Sequence, residues 1–171
     1  MKHLAGSLVL VILVSVSMVQ AEALTIDPDS LLPPVVEWHG ASESLIANPD
    51  NPWQTPAERS GFETTPTYAE TVEWLERLAD RTPRLQLLPM GESWEGRTIW
   101  LAVASAEGAS DPAQVQAARK PVLLAQAGIH SGEIDGKDAG LMLLRDLTVG
   151  PLAELLDHVT VLFIHKDIDW A

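Results

Sequence analysis

Residues 120–147 read KPVLLAQAGIHSGEIDGKDAGLMLLRDL, and the change of period inside this stretch decides the fold. Pro121 to Ala127 is apolar without alternation, the pattern of a strand buried on both faces of a sheet. Gly128 ends it. From Asp135 to Thr148 the period becomes helical, with Ala139, Met142, Leu143 and Leu147 on one face and Lys137, Asp138, Arg145 and Asp146 elsewhere. Gly150-Pro151 stops that helix, a short helical turn runs through Leu155, and Val159 to Ile164 (VTVLFI) is a second fully apolar strand. Two such strands around a helix predict an α/β sheet with helices on its faces.

Upstream, Thr67-Tyr68-Ala69-Glu70 has the spacing of a capping box. It opens a helix whose stripe is Tyr68, Val72, Leu75 and Ala79, widened by Trp74 and Leu78, and which Thr82-Pro83 stops. Leu85 to Leu88 and Thr98 to Ala104 flank the turn GESWEGR (residues 91–97) and predict a hairpin. Ala106 to Lys120 reads as a loop with one helical turn after Pro112. No internal repeat is visible.

From Leu24 to Thr65 the chain is dense in Pro, Asp, Asn and Ser without sustained period, so residues 22–64 read as an extended arm. A second box, Thr55-Pro56-Ala57-Glu58, allows one short helix within it. Trp38 and Trp53 offer two ways to pin the arm to the domain, and a flexible linker is the other reading. Ahead of it, Lys2 and His3 precede the apolar run Leu8 to Val19, followed by Gln20-Ala21-Glu22-Ala23. This is the layout of a signal peptide cleaved after Ala21, because the run falls short of the roughly 20 apolar residues that span a bilayer. The expectation is a secreted or periplasmic chain that is not membrane-bound after cleavage, with residues 65–171 as its domain.

The composition narrows the chemistry. The chain has 171 residues, a formal charge of −13 and no cysteine. Disulfide frameworks and cysteine zinc fingers are excluded, net repulsion from phosphate argues against nucleic-acid binding, and any metal site must use His, Asp or Glu. With 46% hydrophobic and 20% charged residues, a globular core is available.

In an open α/β sheet, ligands bind where strands deliver their carboxyl ends. The strand Pro121 to Ala127 runs into Gly128-Ile129-His130-Ser131-Gly132-Glu133, which puts an imidazole and a carboxylate three residues apart at such an end. The glycines permit tight turns, so His130 and Glu133 are candidate metal ligands, and zinc accepts that donor pair. The spacing alone is weak, since roughly 0.4 such pairs arise by chance in this composition. Its place at a strand end gives it weight. His165 follows the second strand and approaches the same end only if that strand runs parallel to the first. His158 precedes its strand at the opposite end, and His39 lies in the arm. Glu92 and Glu95 belong to a solvated turn. Asp135 and Asp138 suit the first turn of a helix, and Asp135 is also a candidate partner for His130.

Three blocks, TPTYAETVEWLERLA, MGESWEGRTIWLAVAS and KPVLLAQAGIHSGEIDGKDAGLMLLRDL, together resemble the N-terminal part of the M14 family of zinc carboxypeptidases, in that family's order. The likeness runs from about Thr65 to Ile164. It implies that His130 and Glu133 match the family's first two zinc (Zn2+) ligands. It also implies a fold that is the start of a mixed eight-stranded sheet with helices on both faces, here incomplete. Gly132 stands where digestive members carry an arginine. The resemblance places the third ligand, the substrate-binding arginines and the general base beyond Ala171. The chain after Ile164 departs from the family pattern, so it reads as a truncated copy without activity by itself. The implied activity is that of a secreted metallocarboxypeptidase acting on the C-termini of peptides or proteins. The alternatives are an N-acyl amino acid deacylase of the aspartoacylase and succinylglutamate desuccinylase type, or a non-catalytic peptide-binding fragment. If Val159 to Ile164 is the last strand, its outer edge is unpaired, which predicts aggregation or a partner.

Overall fold

Thr67 starts the first long helix in the way its sequence predicts. In a computed structural model that describes residues 39–130 and 132–165, its hydroxyl accepts the Glu70 amide while the Glu70 carboxylate accepts the Thr67 amide at 2.8 Å. The stretch read as a leader, residues 1–21, Trp38 and the tail after His165 lie outside the described residues. The helix below that cap, Tyr68–Arg81, buries Thr71, Trp74, Leu75 and Leu78. Its buried stripe is therefore centred on Trp74 and Leu78, with Tyr68, Val72 and Ala79 at the margin.

Among the described residues four strands follow: β1 (Leu85–Glu92), β2 (Thr98–Ala104), β3 (Val122–Ala127) and β4 (Thr160–His165). They form one mixed sheet in the order β1-β2-β4-β3. β1 with β2 and β2 with β4 are antiparallel, and β3 with β4 is parallel. The hairpin turn closes through Gly96, whose φ of 78° is a left-handed conformation that glycine adopts without a Cβ penalty. A register shift between Pro89 and Gly91 interrupts the β1 ladder, where a proline cannot donate.

The helices are α1 (Pro56–Arg59), α2 (Tyr68–Arg81), α3 (Pro112–Ala117) and α4 (Asp135–Thr148), with 3-10 turns at Ala41–Leu45 and Ala153–Asp157. One apolar core joins Trp74, Leu75 and Leu78 of α2 and Leu141, Leu144 and Leu147 of α4 to Ala102, Ala104, Val161 and Phe163 of the sheet. Because side chains alternate along a strand, these sheet residues share one face. α4 approaches β4 closely at Gly140, where an added Cβ would lie 2.0 Å from Cζ of Phe163.

The strand placement corrects two expectations. β4 is not the unpaired last strand but an interior one, with β2 on one side and β3 on the other. β3 is not buried on both faces: it is the sheet edge, and Val122, Leu123 and Leu124 are 48%, 52% and 59% exposed. α4 covers β3 near Ala127, against which Gly136 packs, and leaves the start of the strand open. An apolar run shows what a strand needs, not which neighbours it has.

The described part of the arm is docked. The Trp74 indole donates to the Gln54 carbonyl at 3.0 Å, and the Arg77 guanidinium lies 5.7 Å from the Trp53 ring centre. Deeper in, Glu58 caps α1 by accepting the Thr55 amide at 2.7 Å and also accepts the Ala47 amide at 2.8 Å. Arg145 of α4 donates to both Glu58 oxygens, to Asp146 at 2.8 Å and to the Leu45 carbonyl at 2.7 Å. Both ionic side chains are almost fully enclosed. Burial pushes the Glu58 carboxyl up, but the Arg145 hydrogen bond and the two backbone amides outweigh it and hold the group below its ordinary range.

Candidate metal centre

The parallel pairing of β3 and β4 fixes the ends of both strands side by side, with Ala127 in register with His165. Just past Ala127 the chain turns through Gly128, at a φ of 66°, and returns through Gly132, at 83°. Between them, the Glu133 amide donates to the His130 carbonyl at 3.3 Å, which closes the loop. The two candidate ligands meet: His130 Nδ1 lies 3.0 Å from Glu133 Oε1, and the His130 amide donates to Oε2 at 3.2 Å. Hydrogen bonding to the His130 side chain, then to its amide, lowers the pKa of the Glu133 carboxyl. Both side chains are largely exposed.

This arrangement fits a zinc ion on its donor chemistry. A tetrahedral ion with zinc–nitrogen and zinc–oxygen bonds near 2.0–2.2 Å separates two of its donors by about 3.3 Å. His130 Nδ1 and Glu133 Oε1 stand 3.0 Å apart, close to that separation. The pair supplies two ligands, and among the described residues no group of three His, Cys, Asp or Glu side chains is close enough to hold a metal.

The remaining candidates separate cleanly. His165 meets the condition set for it, since β4 does run parallel to β3, and it is buried at the carboxyl end. It does not complete a three-ligand group with His130 and Glu133. His158 is exposed at the other end of β4, and His39 is exposed with its Nδ1 3.1 Å from Glu43. Glu92 is exposed, and Glu95 lies 3.7 Å from the Arg97 guanidinium across the hairpin turn. Asp135 is exposed on the first turn of α4 and makes no hydrogen bond to His130.

A second polar group near the site was not foreseen. Lys137 and Asp138 follow the loop, and Lys137 is buried with its ammonium donating to the Pro66 carbonyl. Asp138 accepts from the Thr65 hydroxyl at 3.0 Å, with the Lys137 ammonium 3.6 Å away. Burial raises the Asp138 carboxyl above its ordinary value despite those partners. The sequence marked Lys137 only as lying off the apolar stripe, and Asp138 as that and as suited to the first turn of the helix. The chain segment over them, residues 65–66, has no period from which such a contact could be read.

Comparison with known proteins agrees with this architecture. A family model described as zinc carboxypeptidase matches residues 71–166. Among solved structures, a carboxypeptidase A from Helicoverpa armigera superposes with a TM-score of 0.52 at 24% identity, covering 59% of this chain and 24% of that one. Bovine thrombin-activatable fibrinolysis inhibitor, in complex with a tick carboxypeptidase inhibitor, gives 0.47 at 18% identity, covering 59% and 30%. The chain thus spans about a quarter of the insect enzyme's length. No curated protein sequence matches. The insect structure shares the fold, and the family model, matched over more than half of the residues, supplies the conclusion: the chain belongs to the zinc carboxypeptidase family.

Proposed function

We propose that the chain carries part of the zinc site of a secreted metallocarboxypeptidase, with His130 and Glu133 as metal ligands and the C-termini of peptides or proteins as substrates. The observation that supports this most is the 3.0 Å contact between the two side chains at the carboxyl end of β3, in a chain of this family. When bound, zinc would polarise a scissile carbonyl and activate water. The chain's own contribution is to present one nitrogen and one oxygen donor from a loop set by Gly128 and Gly132. Two donors leave an ion weakly held, and a catalytic site of this type uses three. The 171 residues are therefore proposed to bind zinc weakly and not to turn over peptides by themselves. The leader reading of residues 1–21 supports export.

Calorimetric zinc titration of the purified chain tests the ligand assignment. Weak binding that disappears in both His130→Ala and Glu133→Gln is expected, and binding unchanged in either variant would overturn it. Incubation with a peptide and with an N-acyl amino acid tests the rest. Chelator-sensitive release of a C-terminal residue would refute the proposed inactivity, and release of the acyl group would favour the deacylase reading.

A further inference from the structure

The two edges of the sheet are unlike. β1 is interrupted at Pro89, where its register shifts, and it ends on Glu92, and both features keep a further strand from adding there. β3, at the other edge, carries neither charge nor proline from Val122 to Ala127, and no strand lies beside it among the described residues. The Thr160 amide donates to the Pro121 carbonyl at 3.0 Å, so the backbone of Pro121 faces β4. Backbone groups alternate in direction along a strand, and those of Val122, Leu124 and Gln126 therefore face outward. The side chains of these three share one sheet face, on which Val122 and Leu124 are about half exposed.

Charge limits what can complete this edge. Arg119 is exposed just before β3 and forms no ion pair among the described residues, whereas the Lys120 ammonium is held by Glu107 and the Leu156 carbonyl. Past the other end of the strand, Glu133 and Asp135 are exposed carboxylates. The edge thus runs from a cation to acids. A strand laid antiparallel on it matches in sign if its own flanks run the same way, and β3 meets that condition itself. We propose that two copies of this chain pair antiparallel through β3, about a two-fold axis at Leu124, into one continuous sheet. Leu124 then faces its own counterpart, Val122 faces Gln126 of the other copy, and Arg119 stands opposite Ile129 of the other copy, beside the loop that carries Glu133. The contact closes at two copies, because the outer edges of the joined sheet are both β1. A six-residue strand makes a small interface, which places the dimer in the weak class. The pairing holds whether or not His130 and Glu133 take zinc.

The chain has no cysteine, so single introduced thiols report the geometry. The full chain is used with chelator present, so that no metal bridges two copies. Residues in a hydrogen-bonded antiparallel pair have Cα atoms about 5.5 Å apart, within the roughly 4.4–6.8 Å that a disulfide spans. Under mild oxidation Leu124→Cys is expected to cross-link into dimers. Val122→Cys and Gln126→Cys, whose own counterparts lie roughly 14 Å away, are expected to cross-link poorly alone and efficiently when mixed. In sedimentation from micromolar to millimolar concentration a discrete dimer is expected, and Arg119→Glu should weaken it about two- to tenfold at low ionic strength. Equal cross-linking at all three positions, open-ended oligomers or an unaltered dimer in Arg119→Glu would each overturn the proposal. So would a monomer at every concentration, which would leave the edge to a strand of a different chain. Failure of zinc binding or of peptide hydrolysis would not bear on it.

Discussion

The Phe163 ring occupies the space in which a side chain of Gly140 would have to stand, with three ring carbons 2.0–2.8 Å from where a Cβ would fall. α4 is thereby held against β4 at a distance only glycine permits. Gly140→Ala should raise intrinsic helix propensity by about 1 kcal/mol and still destabilise the protein by about 1–3 kcal/mol through overpacking. A lowered urea midpoint with an unchanged slope would show it. Pairing the change with Phe163→Leu should recover part of the loss.

The Glu58–Arg145 pair is enclosed, so removing Arg145 strands the Glu58 charge, whereas removing Glu58 leaves Arg145 with Asp146. Arg145→Met should cost about 3–5 kcal/mol and Glu58→Gln less, read by chemical denaturation at neutral pH.

The same pair gives a pH signature. The Glu58 carboxyl titrates lower in the folded state than in the unfolded chain, where it sits near 4.3. Its contribution is therefore complete above that value and is lost as pH falls through the folded value. Asp138 has the opposite sign: its raised carboxyl costs stability when ionised, and that cost is relieved as pH falls through its folded value. Stability followed downward in pH should gain a little from Asp138 before it falls with Glu58. Asp138→Asn should remove the early gain, and Glu58→Gln should remove its own share of the later fall.

Among the described residues the β3 edge has no strand beside it, and Val122 to Ala127 carries none of the charges or prolines that protect edge strands. The chain should self-associate in a concentration-dependent way, visible by sedimentation. Leu124→Lys, at an exposed position, should reduce that association without lowering the melting temperature.

His130→Ala should raise the Glu133 carboxyl toward the ordinary glutamate range, because the imidazole hydrogen bond does most to depress it. A carbon-13 NMR titration of the Glu133 carboxylate checks this without any metal.

Much of the fold was legible because its signals are local. Thr55 and Thr67 announced their caps three residues ahead, the helical period marked α4, and two apolar strands around a helix pointed to an α/β sheet, while the parallel β3–β4 pairing stood only as a condition until the structure supplied it. The His130–Glu133 contact was legible for the same reason, since a three-residue turn between glycines brings the two together whatever surrounds them. Nonlocal arrangements were not legible. β3 and β4 have equally apolar sequences, and only their order in the sheet makes one an edge and the other interior. Lys137, Arg145 and Asp146 read as the polar side of α4 yet are buried. Their partners in residues 45–66 approach from a segment without any period, so nothing in the helix itself distinguishes a solvated charge from a covered one.

Glu58 serves at once as cap, as acceptor for Ala47 and as counter-ion, and its counter-ion lies 87 residues away. During synthesis, at 5–20 residues per second, about 4–17 s separate the two side chains' appearance. Until Arg145 emerges, the four-residue α1 has no anchor on α4, and four residues are too few to hold a helix alone. The α2 contacts of the arm, Trp74 to Gln54 and Arg77 to Trp53, can thus form early, while the Glu58 anchor is made last, and a change at Arg145 would leave that late step undone.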